Sequence, residues 1–389
     1  MIKEISLYLH IPFCERKCHY CDFLSGPAPD ETREAYVKAL CGELRREGER
    51  YEHRAVDTVF IGGGTPSILA AAQLEQLMEA TREAFVIRPE AEISMEANPG
   101  SADERKLRTW QKAGINRLSI GLQSADDEEL KRLGRIHTRK DFLRTWEAAR
   151  TAGFTNLNID IMSALPGQNM ASYERTLEEV LRLKPEHISA YSLIIEEGTL
   201  FYQWFGPEGV YTDSRQKEML LPDEEEDRLM YELTGTMLEA GGYQRYEISN
   251  YSLPGRECRH NIGYWTGKEY LGLGLGASSY MDHQRFARER ELSVYLEKTA
   301  AGQDTGIEYQ VLSKNEEMEE FLFLGLRMMM GVSADTFLTR FGVSMRERYG
   351  RQIEELVGKG LLEWRRDGRL ALTKFGIDVS NLVFGEFLS

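Results

Sequence analysis

Tyr8-Leu-His-Ile-Pro-Phe-Cys14-Glu-Arg-Lys-Cys18-His-Tyr20-Cys21-Asp-Phe23 decides how this chain is read. Cys14, Cys18 and Cys21 stand at C-x3-C-x2-C spacing. Thiolates so placed wrap one face of a compact metal centre. Structural zinc sites close with four ligands, most often as two C-x2-C pairs. A structural four-iron cluster takes four cysteines. Three cysteines leave one iron open, much as an open coordination position marks a catalytic zinc. Two readings stand at this point: a cluster with an open iron, and a structural zinc knot with a distant fourth ligand.

The flanks place this loop in a fold. Glu4 to His10 alternates and reads as a strand that delivers the chain to the cysteines. Residues 31–50 carry a helical pattern, with Tyr36, Val37, Leu40, Cys41 and Leu44 on one face. Cys41 on that face reads as a small buried hydrophobe. Val56 to Ile61 is a short apolar run, typical of a strand buried on both faces. It ends in Gly62-Gly63-Gly64-Thr65-Pro66-Ser67, where a backbone without Cβ atoms lets a ligand come close. The run lacks the lysine of a P-loop and the spacing of G-x-G-x-x-G.

The alternation then continues. Helical patterns cover Leu69–Phe85, Asp103–Ala113, Glu128–Leu133, Lys140–Ala152 and Ser172–Leu183. Strand patterns cover Ala91–Glu96, Arg117–Gly121, Asn156–Ile161 and His187–Leu193. Six strands alternating with helices predict a parallel sheet with right-handed crossovers. The fold class is α/β, and a barrel, open or closed, gathers its chemistry at the C-terminal strand ends. The cysteine loop follows the first strand and the glycines follow the second. Glu96 ends the third, Gln123 follows the fourth and Asp160 lies near the end of the fifth. Several polar groups on one rim have a claim to a site.

With those residues in place, the chain resembles the radical S-adenosylmethionine (radical SAM) superfamily. Residues 8–21 fit Y-x-H-x-P-F-C-x-x-x-C-x-Y-C throughout, the pattern of its coproporphyrinogen oxidase-like branch. The resemblance implies a partial (β/α)6 TIM-like barrel over residues 1–200. It implies a [4Fe-4S] cluster on Cys14, Cys18 and Cys21, whose open iron takes the methionine moiety of SAM. One electron from the cluster then splits the sulfonium and releases a 5′-deoxyadenosyl radical. It also implies a SAM pocket lined by Tyr8, Tyr20, Gly63, Gly64, Thr65, Glu96, Gln123, Arg135 and Asp160. Tyr20 is expected against the adenine, Glu96 and Asp160 against ribose or amino groups, and Arg135 against a carboxylate.

Residues 201–308 read as an extension of the barrel. Glu196 to Leu221 is loop-like and aromatic, Asp223 to Ala240 is a capped helix, and Tyr243 to Ile248 is a strand. Cys258-Arg-His260-Asn261-Ile-Gly-Tyr264-Trp265 follows. Its H-N-x-x-Y-W resembles the motif of the haem chaperone branch of the family. That resemblance implies haem contact at His260, with Cys258 as a second axial ligand. From the residues alone, a hydrogen-bonded structural histidine among packing aromatics is the alternative. The glycines of Leu271-Gly-Leu-Gly-Leu-Gly-Ala277 predict strand edges closely approached by a ligand or another backbone.

Residues 309–389 read as a separate, small α-rich domain. Helical patterns run over Glu316–Met329, Ser333–Phe341 and Met345–Lys359. A hairpin turning at Asp367-Gly368 follows, so the domain is winged-helix-like. Tyr309 to Ser389 holds 11 Lys+Arg and 12 Asp+Glu, a poor match to a phosphate backbone. The whole chain carries a net charge of -15, which also argues against a nucleic-acid partner. No run is long and apolar enough to span a bilayer. Met1-Ile-Lys-Glu lacks the shape of a signal peptide. Five cysteines, three of them clustered, fit a reducing, cytoplasmic setting.

Two departures from the coproporphyrinogen dehydrogenase pattern bear on function. Phe23 stands where that enzyme has a fourth cysteine, and the chain begins just before Tyr8, where the enzyme has an N-terminal extension over the site. Both match the haem chaperone branch. The reading is therefore a protein that binds a [4Fe-4S] cluster, SAM and haem, and passes haem to acceptor proteins. No residue is assigned a catalytic role. Expected partners are haem or another porphyrin, an electron donor for the cluster and haem acceptor proteins, with peripheral membrane contact through partners. The alternative is oxygen-independent oxidative decarboxylation of coproporphyrinogen III.

Overall fold

The computed structural model describes residues 3–210 and 219–388. Its first half is the expected alternation. In chain order it runs β1 (Glu4–Ile11), α1 (Asp30–Arg50), β2 (Ala55–Gly63), α2 (Ala71–Ala84), β3 (Val86–Ala97), α3 (Glu104–Lys112) and β4 (Arg117–Gln123). It continues with α4 (Asp127–Arg132), α5 (Arg139–Ala152), β5 (Leu157–Ser163), α6 (Met170–Leu183) and β6 (His187–Ser192). The six strands pair in sequence order, all parallel. Two helix starts are fixed locally, because Thr138 and Asn169 close capping boxes on α5 and α6.

The second half differs more from expectation. It adds α7 (Leu200–Phe205), α8 (Glu224–Ala240), β7 (Gln244–Arg245), β8 (Asn250–Ser252), α9 (Arg259–Trp265), β9 (Tyr270–Leu273), β10 (Ser278–Met281), β11 (Gln284–Arg288), α10 (Leu292–Ala300) and β12 (Gly306–Val311). Residues 200–205 of the expected loop are therefore helical, and residues 211–218 lie outside the described residues. Of the strand expected over 243–248 only Gln244–Arg245 is strand, paired antiparallel with β8 just beyond that range. All twelve strands form one mixed sheet, ordered β12-β11-β10-β9-β1-β2-β3-β4-β5-β6-β8-β7. Strand β1 is interior, because β9 pairs parallel to it. One face of β1 is apolar, with Ile5, Leu7, Leu9 and Ile11 all fully buried in the main core, and the other carries Ser6, Tyr8 and His10. The main core continues through β2 to β6 and their covering helices.

A second core gathers in the C-terminal segment. Its elements are α11 (Lys314–Gly325), β13 (Val332–Ser333), α12 (Ala334–Phe341), α13 (Met345–Gly358), β14 (Leu362–Trp364), β15 (Arg369–Leu372), α14 (Lys374–Asp378) and α15 (Ser380–Gly385). Phe337, Phe341, Tyr349 and Leu370 are at its centre. The expected boundary at 308/309 falls inside β12, which belongs to the large sheet. The second core starts with α11.

Candidate functional site

The C-terminal ends of β1 to β6 surround a cavity of about 350 Å3. Cys14, Cys18 and Cys21 line it together with Tyr20, Gly63, Gly64, Thr65, Glu96, Gln123, Arg135 and Asp160. Eleven residues expected at the site thus meet in one volume, brought there from four strands, β2 to β5, and from the loops after β1, β2 and α4.

The cysteine loop is tied down by backbone hydrogen bonds. Cys14 N–H donates to Gly26 O at 3.0 Å, and Gly26 N–H donates to Pro12 O at 3.1 Å. His19 N–H donates to Leu133 O, and Phe201 N–H donates to His19 O. The last contact docks α7 against the loop. Phe201 is fully buried, with its ring centroid 6.1 Å from that of His19 and 6.3 Å from that of Tyr20. Trp204 meets the His19 ring edge-on at 4.9 Å. Among the described residues, no three His, Cys, Asp or Glu side chains gather as a single ion needs. The three cysteines line the large cavity together. Burial pushes the Cys14 and Cys21 thiols up. Metal binding has to displace their protons.

Glycine is required where the β2 loop crosses the cysteine loop. A Cβ on Gly64 would stand 2.6 Å from the Phe13 carbonyl oxygen. Gly63 has φ +114, and a Cβ there would meet the His10 ring. The freed Gly63 N–H donates to Glu96 Oε2 at 3.0 Å. Burial, and then the neighbouring Asp160, raise the Glu96 carboxyl to about 8. Asp160 accepts from Asn158 Nδ2 at 2.7 Å and from Ser119 Oγ at 2.9 Å.

Arg135 is the hub of the opposite wall. Its Nη1 donates to Cys18 Sγ at 3.7 Å, and its Nη2 to Asn98 Oδ1 at 2.9 Å and Gly121 O at 3.2 Å. Asn98 in turn donates to Thr65 Oγ1 at 2.8 Å. Gln123 sits at φ +67, after a register shift in β4. A non-glycine residue held there is strained, and such strain concentrates at functional positions. Asn98, Ser119, Met162 and Tyr191 also line the cavity. Sequence reasoning missed all four, although Ser119, Met162 and Tyr191 follow from the inward periodicity of β4, β5 and β6.

Tyr8 lies one layer lower than expected. It lines a second, smaller chamber of about 200 Å3 beneath the first, and its hydroxyl bonds His10 Nδ1 at 2.9 Å. His260, Asn261 and Tyr264 of the H-N-x-x-Y-W stretch form the floor of that chamber. They belong to α9, which closes the N-terminal end of the barrel. Glu92 Oε2 accepts from Arg259 N–H at 3.1 Å, and Oε1 accepts from His260 N–H at 3.2 Å and from Cys258 Sγ at 3.5 Å. An acid at this position matches the helix dipole.

The haem expectation for His260 and Cys258 therefore meets a closed arrangement. His260 Nδ1 bonds Thr58 Oγ1 at 2.9 Å, and Nε2 bonds Tyr264 OH at 2.8 Å. Both ring nitrogens are engaged, and burial holds the ring neutral, its pKa down to about 3. Cys258 is fully buried, and burial pushes its thiol up to about 12. Neither side chain offers a free donor atom to an iron in this conformation. Trp265 leaves the floor and reaches the second core, where the Arg327 guanidinium stacks 4.4 Å from its ring.

The description of the radical SAM superfamily matches residues 8–180, and that of the HemN C-terminal domain matches residues 312–379. The heme chaperone HemW of Lactococcus lactis subsp. lactis is 38% identical over 388 residues, spanning 99% of this chain and 98% of that protein. The heme chaperone HemW of Bacillus subtilis is 36% identical over 389 residues, spanning 98% of this chain and 99% of that protein. Among solved structures, the radical SAM enzyme coproporphyrinogen III oxidase (HemN) from Escherichia coli superposes with a TM-score of 0.84. It is 22% identical and covers 99% of this chain and 90% of its own, a likeness of fold.

Proposed function

Because the chain belongs to the HemW haem chaperone family of the radical SAM superfamily, we propose that it binds haem and passes it to acceptor haemoproteins. The near full-length identity to proteins of that name carries this reading.

The residues of the large cavity fit the cofactors of the superfamily. Cys14, Cys18 and Cys21 would hold three irons of a [4Fe-4S] cluster and leave the fourth to the methionine group of SAM. When bound, this pair supplies one-electron chemistry at a sulfonium. The chain's own part is to bind, orient and exclude water. Arg135 sets a positive charge beside Cys18 and fixes Asn98. Glu96 and Asp160 supply acceptors on the inner wall. Glu96 also holds a proton at neutral pH, which a cationic ligand would drive off.

Haem needs an apolar face, and we place it at the mouth rather than the floor. Phe23, 60% exposed, lines the cavity, and Ile194, 66% exposed, lies just past β6. Exposed apolar side chains at one opening mark a binding surface. Contact at His260 or Cys258 would require α9 to leave the floor. An electron donor for the cluster and an acceptor reached at a membrane surface complete the reading. No described helix is long and apolar enough to cross a membrane.

The test uses anaerobically reconstituted protein with its iron content verified. Haem titration followed by mixing with an apo-haemoprotein is expected to move the haem absorbance to the acceptor. The same sample with SAM, reductant and coproporphyrinogen III is expected to give no vinyl product by mass. Catalytic formation of that product would replace the chaperone reading with the decarboxylase.

A further inference from the structure

Arg117 is a buried cation whose role the site above leaves open. It begins β4, is 2% exposed, and faces the lower chamber. Its Nε is buried and unsatisfied, and Glu92 and Asp160 act on its charge from a distance with no direct ion pair among the described residues. Those two acids balance its charge, but their oxygens accept hydrogen bonds from other groups, so the N–H donors of Arg117 stay unmatched. Glu92 accepts from the start of α9, and Asp160 accepts from Asn158 and Ser119. A buried group of this kind in a native structure calls for a partner.

The chamber has the size and lining for one. Its volume of about 200 Å3 exceeds the roughly 30 Å3 share of one water and admits one small organic ion. Asn261 of the H-N-x-x-Y-W motif lines it, as do the phenols of Tyr191 and Tyr264. Glu96, Ser119, Asp160 and Tyr191 line both chambers, so the route in runs through the larger cavity.

We propose that the chamber beneath the larger cavity binds a small monocarboxylate, held by the guanidinium of Arg117 and the side-chain amide of Asn261. A planar guanidinium presents paired N–H donors that match the two oxygens of a carboxylate, which a halide or a water cannot reproduce. The proposal gives the H-N-x-x-Y-W motif a second role, with His260 fixing the floor and Asn261 contacting the ligand. It stands independently of the haem reading.

The experiment is equilibrium dialysis of radiolabelled propionate against the reconstituted full chain, at constant ionic strength. One saturable site is expected in the unaltered protein. Arg117→Met and Asn261→Leu are each expected to weaken it by about tenfold or more while SAM binding and cluster absorbance persist. If Arg117→Met does not accumulate as folded protein, Arg117→Lys serves, since it keeps the charge but loses the fork. Its affinity is expected to fall similarly. Absence of saturable binding, or unchanged binding in the folded variants, would overturn the proposal. Displacement of propionate by equimolar chloride would overturn the assignment to carboxylates.

Discussion

Arg135 Nη1 lies 3.7 Å from Cys18 Sγ, and the same guanidinium holds Asn98 and the Gly121 carbonyl. The contact joins one of the thiols proposed to hold the cluster to the wall of the large cavity through a single fixed charge. A cation beside a ligating thiolate stabilises the more negative, reduced cluster. Arg135→Met is expected to lower the cluster potential by tens of millivolts, on the order expected for one lost hydrogen bond and charge. It is also expected to weaken SAM binding, because Asn98 and Thr65 lose their anchor. Potentiometric titration followed by electron paramagnetic resonance reads the first effect. An unchanged potential would mean that Arg135 only shapes the pocket.

Glu96 gives a pH signature. Its carboxyl is raised from 4.5 to about 8 in the folded chain. Between these values the folded state holds a proton that the unfolded state has released, so stability falls as pH rises through this window. The contribution is fully favourable below about 4.5 and lost by about 8. Glu96→Gln, which cannot ionise, is expected to remove this slope and to be more stable than the unaltered protein near pH 8 by on the order of a few kcal/mol. Urea unfolding of the metal-free chain at several pH values measures it. Equal slopes for the two proteins would place the Glu96 carboxyl in the ordinary range.

Much of this site was legible because its signals are local. The cysteine spacing, the triple glycine and the polar residues at successive strand ends each sit within a few residues of chain, and strand periodicity carried them to one rim. The floor was not legible. Cys258 to Trp265 reads equally well as a ligand motif or as packing. Only the pairing of β9 with β1, some 260 residues apart in sequence, brings α9 under the barrel and turns His260 toward Thr58. Arg117 was hidden for the same reason. A basic residue opening a strand is ordinarily exposed, and its burial depends on α9 closing the end beneath it. The aromatic run after Glu196 read as a loop because six residues are too short for a helical period to declare itself.

Gly64 tests the crossing of the two loops. A Cβ there has only the Phe13 carbonyl to move, 2.6 Å away, and that backbone leads directly into Cys14. Gly64→Ala is expected to cost about 1–3 kcal/mol, as overpacking does. The displaced backbone also carries Cys14, so SAM affinity after reconstitution is expected to fall. Thermal unfolding and SAM titration together check it. Retained stability with retained SAM binding would show that the glycine is not needed for close approach.

Phe201 tests whether α7 supports the cluster loop. Its ring is fully buried among Leu133, Met162 and Leu165, and its N–H holds the His19 carbonyl between Cys18 and Cys21. Removing the ring leaves a cavity directly behind the loop, at a cost of about 3–5 kcal/mol for a buried Phe→Ala change. The small cluster of side chains around it is separate from the main core, so the loss is expected to be felt first by the loop. Phe201→Ala should therefore release iron to a chelator faster than the unaltered protein at temperatures where the barrel remains folded. Phe201→Leu, which refills most of the volume, should restore slow release. Chelator-trapped iron followed by absorbance, alongside circular dichroism of the same samples, separates local loosening from global unfolding. Iron loss that occurs only together with loss of the barrel signal would show that α7 contributes to general stability and not to the cluster loop.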